Sequence, residues 1–120
     1  MIKNYIAATA LMVASMTAPA VQAHGKIVAS EPKAGAELQA APKHIRLQFN
    51  EKLEPAFSKI GLVDANEVAI TLAKITLDKT DPKVMFAEVP LLAPGQYRVR
   101  WTAMAHDGHK TKGEFGFKVK

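Results

Sequence analysis

Three segments of this chain alternate polar and apolar residues with period two. His44-Ile45-Arg46-Leu47-Gln48-Phe49-Asn50 puts Ile45, Leu47 and Phe49 on one face. Gln96-Tyr97-Arg98-Val99-Arg100-Trp101-Thr102 does the same with Tyr97, Val99 and Trp101, and Glu114-Phe115-Gly116-Phe117-Lys118-Val119-Lys120 with Phe115, Phe117 and Val119. Successive side chains of a strand point to opposite faces, so each segment predicts a half-buried antiparallel strand. Weaker strands are expected at 26–30, 59–63, 67–72, 75–77 and 84–88. Turn signals separate them: Glu31-Pro32-Lys33-Ala34-Gly35, Asp64-Ala65-Asn66, Asp81-Pro82 and Ala93-Pro94-Gly95. Residues 53–57 predict a helical turn limited by Pro55. Short strands at this spacing, with no sustained helical period, predict an all-β sandwich.

The first 23 residues break the pattern. Lys3, an apolar stretch from Tyr5 to Met16 and the small-residue end Val21-Gln22-Ala23 read as a secretory signal. The expectation is cleavage after Ala23 and export, leaving residues 24–120 as one domain. The apolar part of the leader is shorter than the ~18–20 residues that span a bilayer, so a soluble protein is expected. There is no cysteine, so neither disulfides nor a thiolate metal knot is available. The formal charge of +5 is dispersed, without the basic patch and interleaved aromatics of a nucleic-acid surface.

Processing makes His24 the first residue. Its free amine and imidazole then offer two nitrogens that close a chelate ring on a metal, unless cleavage merely happens to fall before a histidine. The second chemical signal is His106-Asp107-Gly108-His109, between two strong strands. Asp107 and His109 are two apart, so an extended backbone places both on one face. The competing reading is a polar turn with a solvated histidine. Together, His24, Asp107 and His109 supply three nitrogens and one oxygen. That set suits a tetragonal ion, Cu(II) first and Ni(II) second. His44 has outward parity and reads as a surface residue. His106 has the parity opposite to Asp107 and His109. Met85 and Met104 read as core filler.

From His24 onward the chain resembles the CopC family of periplasmic copper-resistance proteins. The resemblance rests on the processed His24 followed by Lys26-Ile27-Val28-Ala29-Ser30-Glu31-Pro32-Lys33-Ala34-Gly35. It rests also on Ile45-Arg46-Leu47-Gln48-Phe49-Asn50-Glu51-Lys52-Leu53 and Leu92-Ala93-Pro94-Gly95-Gln96-Tyr97-Arg98-Val99-Arg100-Trp101. Asp107-Gly108-His109 followed by Gly113-Glu114-Phe115-Gly116-Phe117 completes the ordered set. The resemblance implies a Greek-key sandwich or barrel of cupredoxin-like or immunoglobulin-like kind. It implies one Cu(II) per chain, held by His24, Asp107 and His109. Glu51 stands where some members place a further acidic group near the copper, as an axial ligand or a supporting partner. Some members also carry a methionine-rich Cu(I) loop. Residues 64–83 here contain neither methionine nor histidine, so a single Cu(II) site is expected.

The resemblance implies a monomeric periplasmic protein that sequesters or carries Cu(II) for copper homeostasis, with a CopD-like inner-membrane copper transporter as partner. The alternative is a copper oxidase or monooxygenase of the histidine-brace kind. Against it stand the small domain, the lack of a flat aromatic platform, and Asp107, which would occupy a position oxygen chemistry needs open. No enzymatic activity is expected. A metal-free interaction sandwich is the third reading.

Overall fold

The computed structural model describes residues 27–120. The expected signal segment and His24 lie outside them. Nine strands follow in order: β1 Ile27–Glu31, β2 Glu37–Leu38, β3 His44–Phe49, β4 Lys59–Asp64, β5 Ala69–Ile70, β6 Ala73–Leu77, β7 Val84–Glu88, β8 Gly95–Met104 and β9 Lys110–Val119. One 3-10 turn, Pro55–Phe57, precedes β4. The strands form two sheets. One is four-stranded in the order β1-β3-β7-β6; the other is five-stranded in the order β2-β9-β8-β4-β5. The fold is the all-β sandwich that the alternation predicts.

The inward residues close the core. Ile45, Leu47 and Val99 are fully buried, and Phe49, Phe117 and Val119 nearly so. Burying a side chain of this size stabilises by roughly 1.5–3 kcal/mol. Phe49 meets the edge of Trp101 at 5.1 Å, and Tyr97 stacks on Phe117 at 5.5 Å. The Tyr97 hydroxyl donates to the Ala93 carbonyl, which fixes the Ala93-Pro94-Gly95 turn at the start of β8. Gly113 lies opposite Trp101 in the β8–β9 ladder. A Cβ there would stand 2.6 Å from the indole, so only glycine leaves the ring its place.

Several expectations need correction. The β8–β9 pair runs further than its apolar pattern, through Ala103↔Thr111 and Met104↔Lys110. Backbone pairing continues where Lys110-Thr111-Lys112 gives no apolar alternation. The strand expected at 67–72 shrinks to Ala69–Ile70. Glu67 instead takes φ +65 in a turn closed by Asp64, whose Oδ1 accepts the N–H groups of Asn66 and Val68 at 2.8 and 3.0 Å. The two-residue β2 was not foreseen; it pairs in parallel with β9. The helical turn is confined to Pro55–Phe57, because Leu53 bridges Ala105 instead. Met85 is core, but Met104 is only half-buried at the end of β8. Phe115 packs against the core from a partly buried position.

Candidate metal centre

The site is built on the loop that joins β8 to β9. The Ala105 N–H donates to the His109 carbonyl, and the Gly108 N–H donates back to the Ala105 carbonyl, both at 2.8 Å. The second bond closes a four-residue turn, and the loop proper is His106, Asp107 and Gly108. A three-residue hairpin loop needs a left-handed residue to rejoin the ladder. Gly108 supplies it with φ +95.

The loop brings Asp107 and His109 together, though not for the reason their spacing suggests. The backbone there is a turn and not an extended strand. Asp107 Oδ1 accepts the His109 N–H at 3.1 Å, and its Oδ2 lies 2.9 Å from His109 Nδ1. An aspartate bonding the backbone two residues on is a local turn contact, and here it leaves the second oxygen to face the ring. Both side chains are about half exposed, at 52% and 53%.

The segment after β3 is tied to this hairpin. The His106 N–H donates to the Lys52 carbonyl and the Glu54 N–H to the Met104 carbonyl, each at 2.8 Å. His106 Nδ1 lies 2.8 Å from Glu54 Oε1. The buried Ser58 hydroxyl donates to the Glu54 carbonyl and accepts the Met104 N–H. Glu51, half-buried, is thus carried on a segment anchored beside the hairpin. Glu54 was not singled out from the sequence. Its partner is fifty-two positions away, and no local spacing announces it. His44 lies exposed on the four-stranded sheet, with its ring 4.7 Å from Phe86, which fits the surface role expected of it.

The 2.9 Å separation has two chemical meanings. It is a close contact between the carboxylate and the imidazole ring. It is also the spacing of two ligands at right angles on one ion, since bonds of ~2.0–2.1 Å put such donors about 2.8–3.0 Å apart. The separation of the two donors already matches that of an N/O chelate, and only their orientation toward a common ion would have to adjust. Among the described residues no three His, Asp or Glu side chains converge on one point. Asp107 and His109 offer two donors, and a full set of ligands would need further donors beyond this pair.

Known proteins supply the context. The sequence model of the CopC domain matches residues 27–120. The chain is 36% identical over 116 residues to Protein YobA of Escherichia coli K12, covering 94% of this chain and 92% of that protein. It is 35% identical over 127 residues to Copper resistance protein C of Pseudomonas syringae pv. tomato, with both chains covered fully. The fold superposes on the crystal structure of PcoC, a methionine-rich copper resistance protein from Escherichia coli. That match has a TM-score of 0.73 and 33% identity, and it covers 82% of this chain and all of that one. The hairpin, the sandwich that holds it and the sequence around both agree: this chain belongs to the CopC family.

Proposed function

We propose that this protein binds one Cu(II) ion per chain and carries or sequesters it in the periplasm. The proposed ligands are the His24 amine and imidazole, Asp107 and His109, with Glu51 as an axial or supporting carboxylate. The observation that carries the proposal is the Asp107–His109 pair, held 2.9 Å apart on an exposed hairpin of a CopC-family chain. Copper is cargo here, so a half-exposed site is an advantage: an acceptor can reach the ion.

The chemistry follows from the donors. Three nitrogens and one carboxylate oxygen fit a tetragonal ion better than a tetrahedral one. An α-amine with an ordinary pKa of roughly 7.7–8.0 loses its proton at pH 7 at a cost of about 1 kcal/mol. Binding therefore releases protons, and acidification releases the metal. Removal of the first 23 residues creates the amine, so the site forms only after export. Handover to a CopD-like membrane transporter is the proposed fate of the ion. A binding role is preferred to oxidase chemistry because the Asp107 carboxylate fills a coordination position that oxygen would need.

The test is a Cu(II) titration read by EPR against a competing chelator, on two forms of the protein. One begins at His24 and the other carries one extra residue before it. The expected result is one tightly bound copper with a nitrogen-rich tetragonal signal in the first form and much weaker binding in the second. Equal binding in both removes the His24 amine from the site. Asp107→Asn separates ligand from support: a changed EPR signal marks a lost ligand. An unchanged signal with an affinity loss of about 10–100-fold marks a carboxylate that only orients His109.

A further inference from the structure

The outer face of the five-stranded sheet divides by charge. Along its middle, Arg98 and Arg100 are matched by Glu67 and Glu114. Arg100 Nε lies 3.1 Å from Glu114, and Arg98 lies 3.7 Å from Glu67 and 3.9 Å from Glu114. Hydrogen bonds to Glu67 and then Glu114 hold the Arg100 guanidinium pKa above its ordinary value. Nearer the Asp107–His109 hairpin the match ends. Thr102 pairs with Lys59 on one side and Lys112 on the other, and Lys110 follows two residues along. Strand spacing puts Lys59 and Lys112 about 9–10 Å apart at Cα, with Lys110 ~7 Å further along its strand. All three are exposed. Among the described residues, none of the three has a carboxylate within ion-pair distance.

These lysines border an open cavity of about 790 Å³ that is also lined by Ala56, Phe57 and Thr102. Phe57 is 59% exposed, and none of the other exposed large apolar side chains lines this cavity. Its backbone is anchored, because the 3-10 turn is held by Ser58 against Glu54 and Met104. A single aromatic is too little apolar surface for the core of a protein interface. One aromatic among several lysines is the composition of a surface that rests at a lipid headgroup layer.

We propose that this face docks on an anionic bilayer. Lys59, Lys110 and Lys112 meet the phosphate headgroups, and Phe57 enters the headgroup–acyl boundary. Lys110 directly follows His109, so docking this way turns the hairpin end of the sandwich toward the membrane. The inference goes beyond metal binding and does not depend on it.

The test is co-sedimentation of the metal-free protein with vesicles of phosphatidylcholine, alone or mixed with phosphatidylglycerol. Each lysine near an anionic surface strengthens binding about fivefold, so the three account for about 100-fold. The Lys59→Gln, Lys110→Gln, Lys112→Gln variant is expected to lose that preference for phosphatidylglycerol. A control with Lys33→Gln, Lys43→Gln and Lys79→Gln removes the same charge elsewhere on the surface and is expected to keep most of it. Phe57→Ser is expected to weaken the binding that survives high salt, where charge is screened. Lys112→Gln alone is expected to lose about fivefold, which keeps the test open should the triple variant fold poorly. Equal losses in the two triple variants would reduce the effect to net charge and overturn the proposal. So would a wild type without preference for phosphatidylglycerol. Binding to poly-glutamate as tight as to vesicles, and indifferent to Phe57→Ser, would point to an acidic protein partner and overturn it too.

Discussion

Gly108→Ala tests whether the hairpin geometry makes the proposed metal site. At φ +95 the glycine occupies the left-handed region, yet a Cβ there would meet nothing within 4 Å. The cost of alanine is therefore backbone strain without a clash, about 1–2 kcal/mol for an L-residue. That strain has only two places to appear. If the Ala105–Gly108 and Ala105–His109 bonds hold the turn, the folded protein carries the strain with or without copper. Stability then falls by the full amount and copper affinity is unchanged. If the loop relaxes, stability is spared, but Asp107 and His109 separate and copper must restore the turn to bind. Affinity then falls, by about 5–30-fold if all the strain moves there.

The copper-bound hairpin and the unfolded chain are the same end states in both cases. The losses in folding and in binding must therefore sum to about 1–2 kcal/mol. Urea melts of the metal-free protein give the first term, and chelator competition gives the second. Gly35→Ala is the control. Gly35 has φ +77 and open space around its Cβ, but it lies between β1 and β2. It should lose comparable stability with no change in copper affinity. No loss in either measurement for Gly108→Ala would refute the reasoning. So would a Gly35→Ala variant that weakens copper equally.

Two further outcomes test the scaffold. Gly113→Ala places a methyl 2.6 Å from Trp101 Cζ2, against a ring already held by Phe49. Overpacking of this kind should destabilise by about 1–3 kcal/mol, and an unchanged urea midpoint with unchanged emission from the single tryptophan would show that the ring has room. The Thr80 backbone N–H, and then its hydroxyl, hold the Asp78 carboxyl below its ordinary pKa of 3.8. A lowered folded pKa gives stability that is complete above the ordinary carboxylate range and is lost as pH falls through the folded value. Asp78→Asn should therefore be less stable than the wild type at neutral pH, with the gap closing in strong acid; a gap constant with pH would remove the charge from the account.

The sandwich was legible because each long strand buries one face. Ile45, Leu47 and Phe49 read as core from alternation alone, and they are core. What the pattern could not carry was structure made by pairing. The extension of β9 through Lys110-Thr111-Lys112 depends on the partner strand, and β2 consists of two residues against the edge of β9. The candidate site divides the same way. Asp107 and His109 were legible as chemistry, but the loop that joins them is a glycine-closed turn. The Glu54–His106 contact has no sequence signature, because it spans two separate elements. Local patterns report what a residue's own strand does. They are silent on what a neighbouring segment brings to it.

The core and the proposed metal pair are physically separate, and this decides what copper removal should do. The buried residues close without cysteine and without either member of the pair, both of which stand half exposed at the hairpin. In small zinc domains, by contrast, metal binding is the folding free energy. Here copper should add to a fold already formed. At a free concentration of about 100 Kd the added stability is ~2.7 kcal/mol, whatever the fold. Chelation should therefore leave the far-UV β signature intact and lower the urea midpoint by an amount that tracks copper concentration. The Asp107→Asn, His109→Ala double variant should show no such dependence while melting close to the metal-free wild type. A protein that unfolds on chelation would mean that the core cannot close alone, and that the hairpin pair is part of the scaffold and not a place for cargo.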